Sequence, residues 1–293
     1  MERKLEPAPR PAGEGRNCST NAGPCDQLVQ DTGEARAGVL IVNADDWGRD
    51  CETTDRTLDC VRSGGVSSVS AMVFMGDSER AAAMARHHGI DAGLHLNFTT
   101  VFSASRASSA LLNHQQRISG YLRRNRLAQI VFHPGLAQSF HYVVAAQRDE
   151  FQRLYGAEPC RYDGHHHMHL CANALWQALL PAGTQVRRNF SFQPGEKGPL
   201  NRLYRRAIDR ALARRHFLTD FFFSLSPLDC PGRLDRISSL ARRFTVELAA
   251  HPVRPEEYRL LTDGDILRQA FGPPIAAGFT AAMRSAKHQL SDR

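Results

Sequence analysis

The chain of 293 residues is 42% hydrophobic and 23% charged, the balance of an ordinary globular protein, which excludes collagen-like, wholly disordered and disulfide-framework classes. No apolar run approaches the ~20 residues needed to cross a bilayer. The net charge of +7 is unevenly placed: Arg202 to His216 holds six Arg against one Asp, a local excess of +5.

Residues 1–37 are rich in Pro, Gly, Glu, Asn and Arg and contain no clustered hydrophobes. Such a segment cannot bury enough apolar area to offset the entropy of ordering, so it reads as a disordered leader before a single domain over 38–293. It has no apolar core of a secretory signal. The seven cysteines are scattered, with no C-x-x-C pair, which fits reduced thiols in a cytoplasmic protein.

From Gly38 onward short apolar runs alternate with helical stretches. The runs are Val39–Val42, Val66–Phe74, Ala92–Leu96, Arg161–Asp163, Gln185–Phe190, Phe217–Leu225 and Phe244–Ala250. Continuous hydrophobes such as VLIV are typical of strands buried on both faces of a parallel sheet. Helices are expected over Glu52–Arg62, stopped by Gly64-Gly65, and over Ser78–His88, stopped by Gly89. Strand–helix repetition of this kind predicts an α/β fold. About seven strands without a Gly-rich dinucleotide fingerprint favour an irregular (β/α) barrel. Residues 98–137 interrupt the alternation after the third strand as an insertion-like segment with a basic helical stretch, Gln115–Gln129, able to wall a pocket. Arg202–His216 reads as a basic amphipathic helix with Leu203, Ala207, Ala211 and Leu212 inward and Arg205, Arg206, Arg210 and Arg214 outward.

Three polar clusters fall at the C-terminal ends of predicted strands, where such folds place their ligand sites. The first is Asn43-Ala44-Asp45-Asp46-Trp47-Gly48, the second Gly93-Leu94-His95-Leu96-Asn97, and the third Asp163-Gly164-His165-His166-His167-Met168-His169. Paired carboxylates after a strand also serve as helix caps, and a lone His in a strand is commonly structural. Four imidazoles within five residues are harder to assign to a core, and imidazole is the commonest metal-binding side chain. In an extended chain His165, His167 and His169 share one face, which leaves the choice between His165 and His167 as ligand open. Asp45 and Asp46 would point to opposite sides of a regular strand, and Gly48 permits a break that turns both to one site. One Asp and two His from three strand ends make a three-ligand metal site with open positions, the form of a catalytic centre. The adjacent carboxylate supplies a general base. A further His, His251, ends the last apolar run in Glu247-Leu248-Ala249-Ala250-His251-Pro252. In a closed barrel it returns to the mouth shared with Asp45, where it can protonate a leaving amine.

Together the stretches VNADDWG at 42–48, GLHLNFT at 93–99, YDGHHHMHL at 162–170 and AAHP at 249–252 resemble the YdjC-like (ChbG/HpnK) carbohydrate deacetylase family, in order and spacing, over roughly 38–268. The resemblance implies a barrel of the glycoside hydrolase/deacetylase type and hydrolysis of an N-acetyl group on a sugar. It places the metal on Asp46, His95 and His165, with Asp45 as base and His251 as acid. The family is usually described with Mg²⁺, and related deacetylases with Zn²⁺; the donor set also accepts Mn²⁺ or Co²⁺. Asn43, Trp47, Asn97, Asp163 and His167 become supporting or substrate-contacting residues, Asp163 by orienting a histidine ring and Trp47 either by stacking on a sugar from the rim or from a place in the core. This chain has Trp47 where Phe is frequent and Gly164 where Ser is common, the latter expected to alter only local backbone freedom.

Two other readings compete. One is another metal-dependent barrel hydrolase, such as a phosphoesterase with a second metal ion; a metal-free glycosidase with two carboxylates is disfavoured by the histidine density. The other is a non-catalytic protein that binds carbohydrate or uses its basic helix on an anionic surface. No nucleic-acid signature is present. Peripheral membrane contact through the Arg-rich helix is an expectation without independent support, and a homo-oligomer stays open.

Overall fold

The computed structural model describes residues 38–124, 126–192 and 197–265, so the leader and the C-terminal stretch from 266 lie outside it. Seven parallel strands form one sheet: β1 (Val39–Trp47), β2 (Ser68–Ala71), β3 (Ala92–Leu96), β4 (Arg161–Gly164), β5 (Gln185–Val186), β6 (Phe221–Ser224) and β7 (Thr245–Ala250). Their order is β5-β4-β3-β2-β1-β7-β6. The sheet curls until β5 approaches the segment that leads into β6, the two meeting at a parallel bridge between Gln185 and Phe217. Ser191 N–H donates to the Phe222 carbonyl 2.8 Å away just beyond it. The α/β barrel expected from the alternating pattern is therefore present, closed by a thin seam.

Helices cover the outside: α1 (Cys51–Arg62), α2 (Ser78–His88), α3 (Ser109–Leu122), α4 (Ala137–Tyr155), α5 (Ala172–Trp176), α6 (Pro199–Ala213), α7 (Arg233–Ala241) and α8 (Pro255–Thr262). The Asp50 carboxylate caps α1 by accepting from Thr53 N–H at 2.8 Å. Helices α2 and α4 both stop at left-handed glycines, Gly89 and Gly156. The strands bury their apolar faces against these helices, with Trp47, Phe98, Phe140, Tyr162 and Phe222 among the largest fully buried side chains. No helix among the described residues is long and apolar enough to cross a membrane.

Several boundaries differ from the sequence expectation, each for a physical reason. Strand β1 runs five residues past VLIV because its polar end stays paired inside the barrel. The runs at 66–74 and 185–190 keep strand geometry for only four and two residues; beyond Ala71 the chain turns, and Phe74 takes φ of 59°. Within the 98–137 segment the helix spans Ser109–Leu122 rather than Gln115–Gln129, and the chain re-forms as a 3₁₀ turn at Arg126–Gln129.

The basic helix is rotated relative to the amphipathic reading. Leu203 is 60% exposed and Ala207 and Ala211 are exposed too, while Asp209 faces inward. The Asp209 carboxylate accepts from Arg188 and from the Asn189 backbone N–H, and that polar anchor sets the helix phase. Arg205 is drawn to half-burial over the Phe192 ring, 5.0 Å from its centroid.

Candidate active site

The polar clusters meet at the C-terminal mouth of the barrel. Strand β1 breaks its pleat at Asp46, which takes φ of 66°, and its register with β2 slips between Ala44 and Trp47. Asp tolerates the left-handed region better than most residues, and the slip brings Asp45 and Asp46 to the same mouth. The break thus falls on Asp46 itself, and Gly48 continues it at φ of 87°. A Cβ on Gly48 would lie 3.2 Å from both the Ala81 Cβ and the Met72 carbonyl oxygen, so the turn also needs the space.

Strand register delivers the partners. His95 pairs with Asp163 across β3 and β4, and His95 Nδ1–H donates to Asp163 Oδ1 at 2.8 Å. Ala44 pairs with Ala250 across β1 and β7, so the next residues, Asp45 and His251, stand side by side with His251 Nε2 4.0 Å from Asp45 Oδ2. His165 Nδ1–H donates to Asp46 Oδ1 at 2.8 Å, and His95 Nε2 lies 3.3 Å from the same oxygen. Asp46, His95 and His165 are all buried, and one donor atom from each falls within 4.8 Å of the others. One carboxylate and two imidazoles at that spacing fit a divalent cation.

The histidine run is not extended. It folds into a 3₁₀ turn in which His166 and His167 take φ of 55° and 58°, so His165, His167 and His169 do not share the face expected of an extended chain. His165 joins Asp46. His166 stacks on His165 with centroids 3.9 Å apart and hydrogen-bonds Thr99 Oγ1 at 3.0 Å through Nδ1. His167, the other ligand candidate, packs edge-on against Phe190 and Phe222 instead. His169 Nε2–H donates to the Arg187 carbonyl at 3.0 Å. Gly164 matters here for space: its φ of −165° suits any residue, but a Cβ would sit 3.0 Å from His169 N and 3.1 Å from His169 Cβ. That corrects the expectation that a Ser there would alter only backbone freedom.

Sequence reasoning missed Arg187, just past β5 and 2% exposed. Its guanidinium makes a bidentate pair with Asp45 at 2.8 Å, and reaches Asp163 Oδ2 at 2.8 Å and Glu247 Oε1 at 2.7 Å. A second possible cation position, on Asp45, His95 and Asp163, therefore coincides with a guanidinium that already neutralises both carboxylates. Asn43 supports the same cluster, donating to Asp45 Oδ1 at 2.9 Å and to Ser70 Oγ at 2.7 Å. Asn97 closes a turn instead, accepting from Thr99 and Thr100 N–H and donating to the Thr100 carbonyl. Trp47 is fully buried, so stacking on a ligand from the rim is not open to it.

Burial opposes ionisation of Asp45, Asp46 and Asp163, but their partners outweigh it, whereas at Glu247 burial prevails over Arg187 and pushes the carboxyl up. The charge of Arg187 and of His95 holds Asp45 and Asp163 below the usual carboxylate range. Hydrogen bonds from His165 and His95 do the same for Asp46. Burial pulls His95 down, yet Asp163 and Asp46 push it up to about 10; a cation would take the place of that proton. Burial, reinforced by the Arg187 charge, lowers His167 to about 3. Burial likewise brings His169 to about 4, against the pull of its bond to the Arg187 carbonyl.

A model of the YdjC-like protein family matches residues 39–271. A mouse carbohydrate deacetylase is 30% identical over 247 residues, covering 74% of this chain and 78% of its own. A chitooligosaccharide deacetylase of Serratia marcescens is 31% identical over 134 residues, 45% of this chain and 51% of its own. Among solved structures, an Enterococcus faecalis protein described as a candidate for cellobiose-phosphate cleavage superposes with a TM-score of 0.58 at 16% identity, covering 84% of this chain and 99% of that one. It shares the fold.

Two outcomes follow from this electrostatic arrangement. Arg187→Met leaves three buried carboxylates without their cation, which should cost about 3–5 kcal/mol of unfolding free energy in urea titrations; a loss below about 1 kcal/mol would show that the cluster is not held by Arg187. In the metal-free protein, folded His95 keeps its proton from pH 6.5 up to about 10 while the unfolded ring does not, so stability falls as pH rises through that window. His167 and His169 stay neutral down to about 3 and 4 while the unfolded rings gain protons below 6.5, so stability also falls as pH drops below 6.5. Urea unfolding in chelator should therefore give a maximum near pH 6.5, and a profile flat from about pH 5 to 9 would contradict it.

Proposed function

This chain belongs to the YdjC-like family, and from that premise we propose that it is a metal-dependent carbohydrate deacetylase, a hydrolase that removes an N-acetyl group from a sugar. The observation that carries the reading is the buried Asp46–His95–His165 donor set beside a carboxylate and an imidazole 4.0 Å apart, Asp45 and His251. The names of the mouse and Serratia relatives support the reaction and its substrate class.

Asp46, His95 and His165 would hold the cation, Mg²⁺ by the family resemblance, with Zn²⁺, Mn²⁺ or Co²⁺ equally suited to an N₂O donor set. When bound it would polarise the acetamide carbonyl and acidify the attacking water, which is what a base held as low as Asp45 needs. The rest falls to this chain's own groups. Asp45, fixed by two bonds from Arg187 and one from Asn43, accepts the proton of the attacking water. Asp163 holds the His95 ring so that its Nε2 faces Asp46. His251 Nε2, nearest Asp45 Oδ2 while Asn43 holds Oδ1, gives a proton to the departing sugar amine. The His251 backbone N–H is anchored by the Glu257 carboxylate, which fixes the end of β7 on which the ring is carried.

A two-metal phosphoesterase fits less well, because the second donor set would have to displace Arg187 from both Asp45 and Asp163.

Asp45→Asn should retain metal yet lose about 100-fold or more in kcat for acetate release from N-acetylated sugars, the share of a general base. His165→Ala should instead lose the metal. Full activity in Asp45→Asn would remove the base assignment, and undiminished metal content in His165→Ala would remove the ligand assignment.

A further inference from the structure

Helix α6 carries a face that neither the barrel core nor the candidate site uses. Its phase is set by Asp209, whose carboxylate turns inward to Arg188 and Asn189, so the opposite face meets solvent. That face holds Leu200, Leu203, Tyr204, Ala207 and Ala211, all exposed, at i, i+3, i+4, i+7 and i+11. Such spacing forms one stripe along a helix. Leu200 and Leu203 are 80% and 60% exposed, and Tyr204 beside them is 43% exposed. Single exposed leucines are ordinary on a protein surface, whereas a grouped apolar stripe marks an interaction surface.

The stripe has a charged border. Arg206, Arg210 and Arg214 follow one another at i+4 spacing along one edge, are exposed, and form no ion pair among the described residues. The one acidic residue of α6 is Asp209, already occupied on the inner side, so nothing on the helix offsets the row. The helix runs back from the mouth of the barrel: Arg205, near its start, lies over Phe192, past the end of β5. Its first turns, with Leu200 and Leu203, therefore stand on the mouth rim.

Among the occupants such a face admits, the chemistry favours one. A second copy across a two-fold axis would bring an identical basic face to it. A nucleic acid would answer the arginines and leave the leucines in water. An anionic bilayer answers both, its phosphates meeting the guanidiniums and its acyl boundary taking the apolar stripe of a helix lying in the interface plane.

We propose that α6 is a peripheral docking surface for an anionic phospholipid bilayer, with Leu200, Leu203 and Tyr204 entering the interface and Arg206, Arg210 and Arg214 pairing with lipid phosphates. The inference goes beyond the deacetylase reading and does not depend on it. Docking of this kind holds the rim of the mouth at the lipid surface.

The test is co-sedimentation of the full-length protein with vesicles of phosphatidylcholine alone and of phosphatidylcholine and phosphatidylglycerol in equal parts. Wild type should partition onto the anionic vesicles about tenfold or more strongly than onto the neutral ones. Arg206→Gln, Arg210→Gln and Arg214→Gln combined should weaken anionic binding by about tenfold or more. Arg62→Gln, Arg242→Gln and Arg243→Gln combined remove the same charge from exposed positions at the opposite end of the barrel, and should leave binding within about threefold. Leu200→Gln with Leu203→Gln keeps every charge and should weaken binding by about tenfold. No vesicle binding by wild type, equal losses from the two arginine sets, or full binding by the leucine variant each overturns the proposal. Self-association through the leucine pair without vesicle binding overturns it in favour of a second copy, and binding of duplex DNA in place of vesicles does so in favour of nucleic acid. Leu203→Trp in a Trp176→Phe background gives a readout that needs no loss of binding, because the remaining Trp47 is fully buried. Its fluorescence should shift to the blue on anionic vesicles and be quenched by brominated lipid. Unquenched fluorescence from vesicle-bound protein places the contact elsewhere and overturns α6 as the docking face.

Discussion

One guanidinium inside the barrel holds three strands to a fourth. Arg187, carried just past the end of β5, binds carboxylates from β1, β4 and β7: Asp45, Asp163 and Glu247. Buried charges are costly unless compensated; Asp45 and Asp163 are, while Glu247 keeps one oxygen without a hydrogen-bond partner among the described residues and is pushed up by burial. Asp163 also receives His95 and Ser70, and Asp45 receives Asn43. The arrangement has a structural consequence beyond charge balance. Among the described residues, β5 and the chain leading into β6 share a single backbone bridge, Gln185 to Phe217, with a further backbone bond from Ser191 to Phe222, a thin seam for a barrel. Successive side chains on an extended chain point to opposite faces, and both Arg187 and Arg188 use that alternation. Arg187 ties the seam from inside, and Arg188 ties it from outside through the Asp209 carboxylate and the Thr219 and Asp220 carbonyls. Arg187 thus serves both the closure of the barrel and the orientation of the candidate base, and Arg188 serves the closure alone.

Much of this was readable in the residues before any coordinates. Apolar runs located all seven strands, and the polar stretches at their ends located the mouth, because a parallel sheet buried on both faces leaves polar groups few other places to go. Asp45, Asp46, His95, Asp163, His165 and His251 all meet there. Arg187 escaped notice because nothing local distinguishes it within Gln185-Val186-Arg187-Arg188-Asn189. Its role exists only through residues 142, 24 and 60 positions away in the chain, at 45, 163 and 247. A signal was nonetheless present: Glu247 interrupts an apolar strand, and a buried Glu calls for a partner that answers its carboxyl. Two adjacent arginines at a strand end were the nearest supply. The phase of α6 was misread for a related reason. Amphipathic periodicity ranks Leu above Asp for the inside, but the Asp209 carboxylate is the group that completes the bonds of Arg188 and Asn189.

The histidine turn shows how residue type can be legible while arrangement is not. Four imidazoles announce chemistry, and no propensity rule foretells two consecutive left-handed histidines. Once the turn forms, each ring meets a different environment. His165 lies against a carboxylate. His166 lies against a hydroxyl. His167 lies among aromatic rings that keep it neutral, and His169 lies against a backbone carbonyl. Only one of the four ends up among candidate metal-binding groups, which is why counting histidines overstates the ligand number.

The same turn couples the two halves of the site. His169 is held neutral, so its Nε2–H donates to the Arg187 carbonyl, four residues after His165 donates to Asp46. A short 3₁₀ turn therefore fixes the backbone of the residue that orients Asp45 and the ring that faces Asp46. Gly164 makes this packing feasible by leaving room for His169 directly above the end of β4. His169 bonds the backbone of Arg187, the residue that pairs with the carboxylates of the cluster, while His165 bonds Asp46 and makes no bond to Arg187. The turn thus acts on the site unequally: its last ring sets the electrostatic frame of the mouth, and its first ring supplies one donor within that frame.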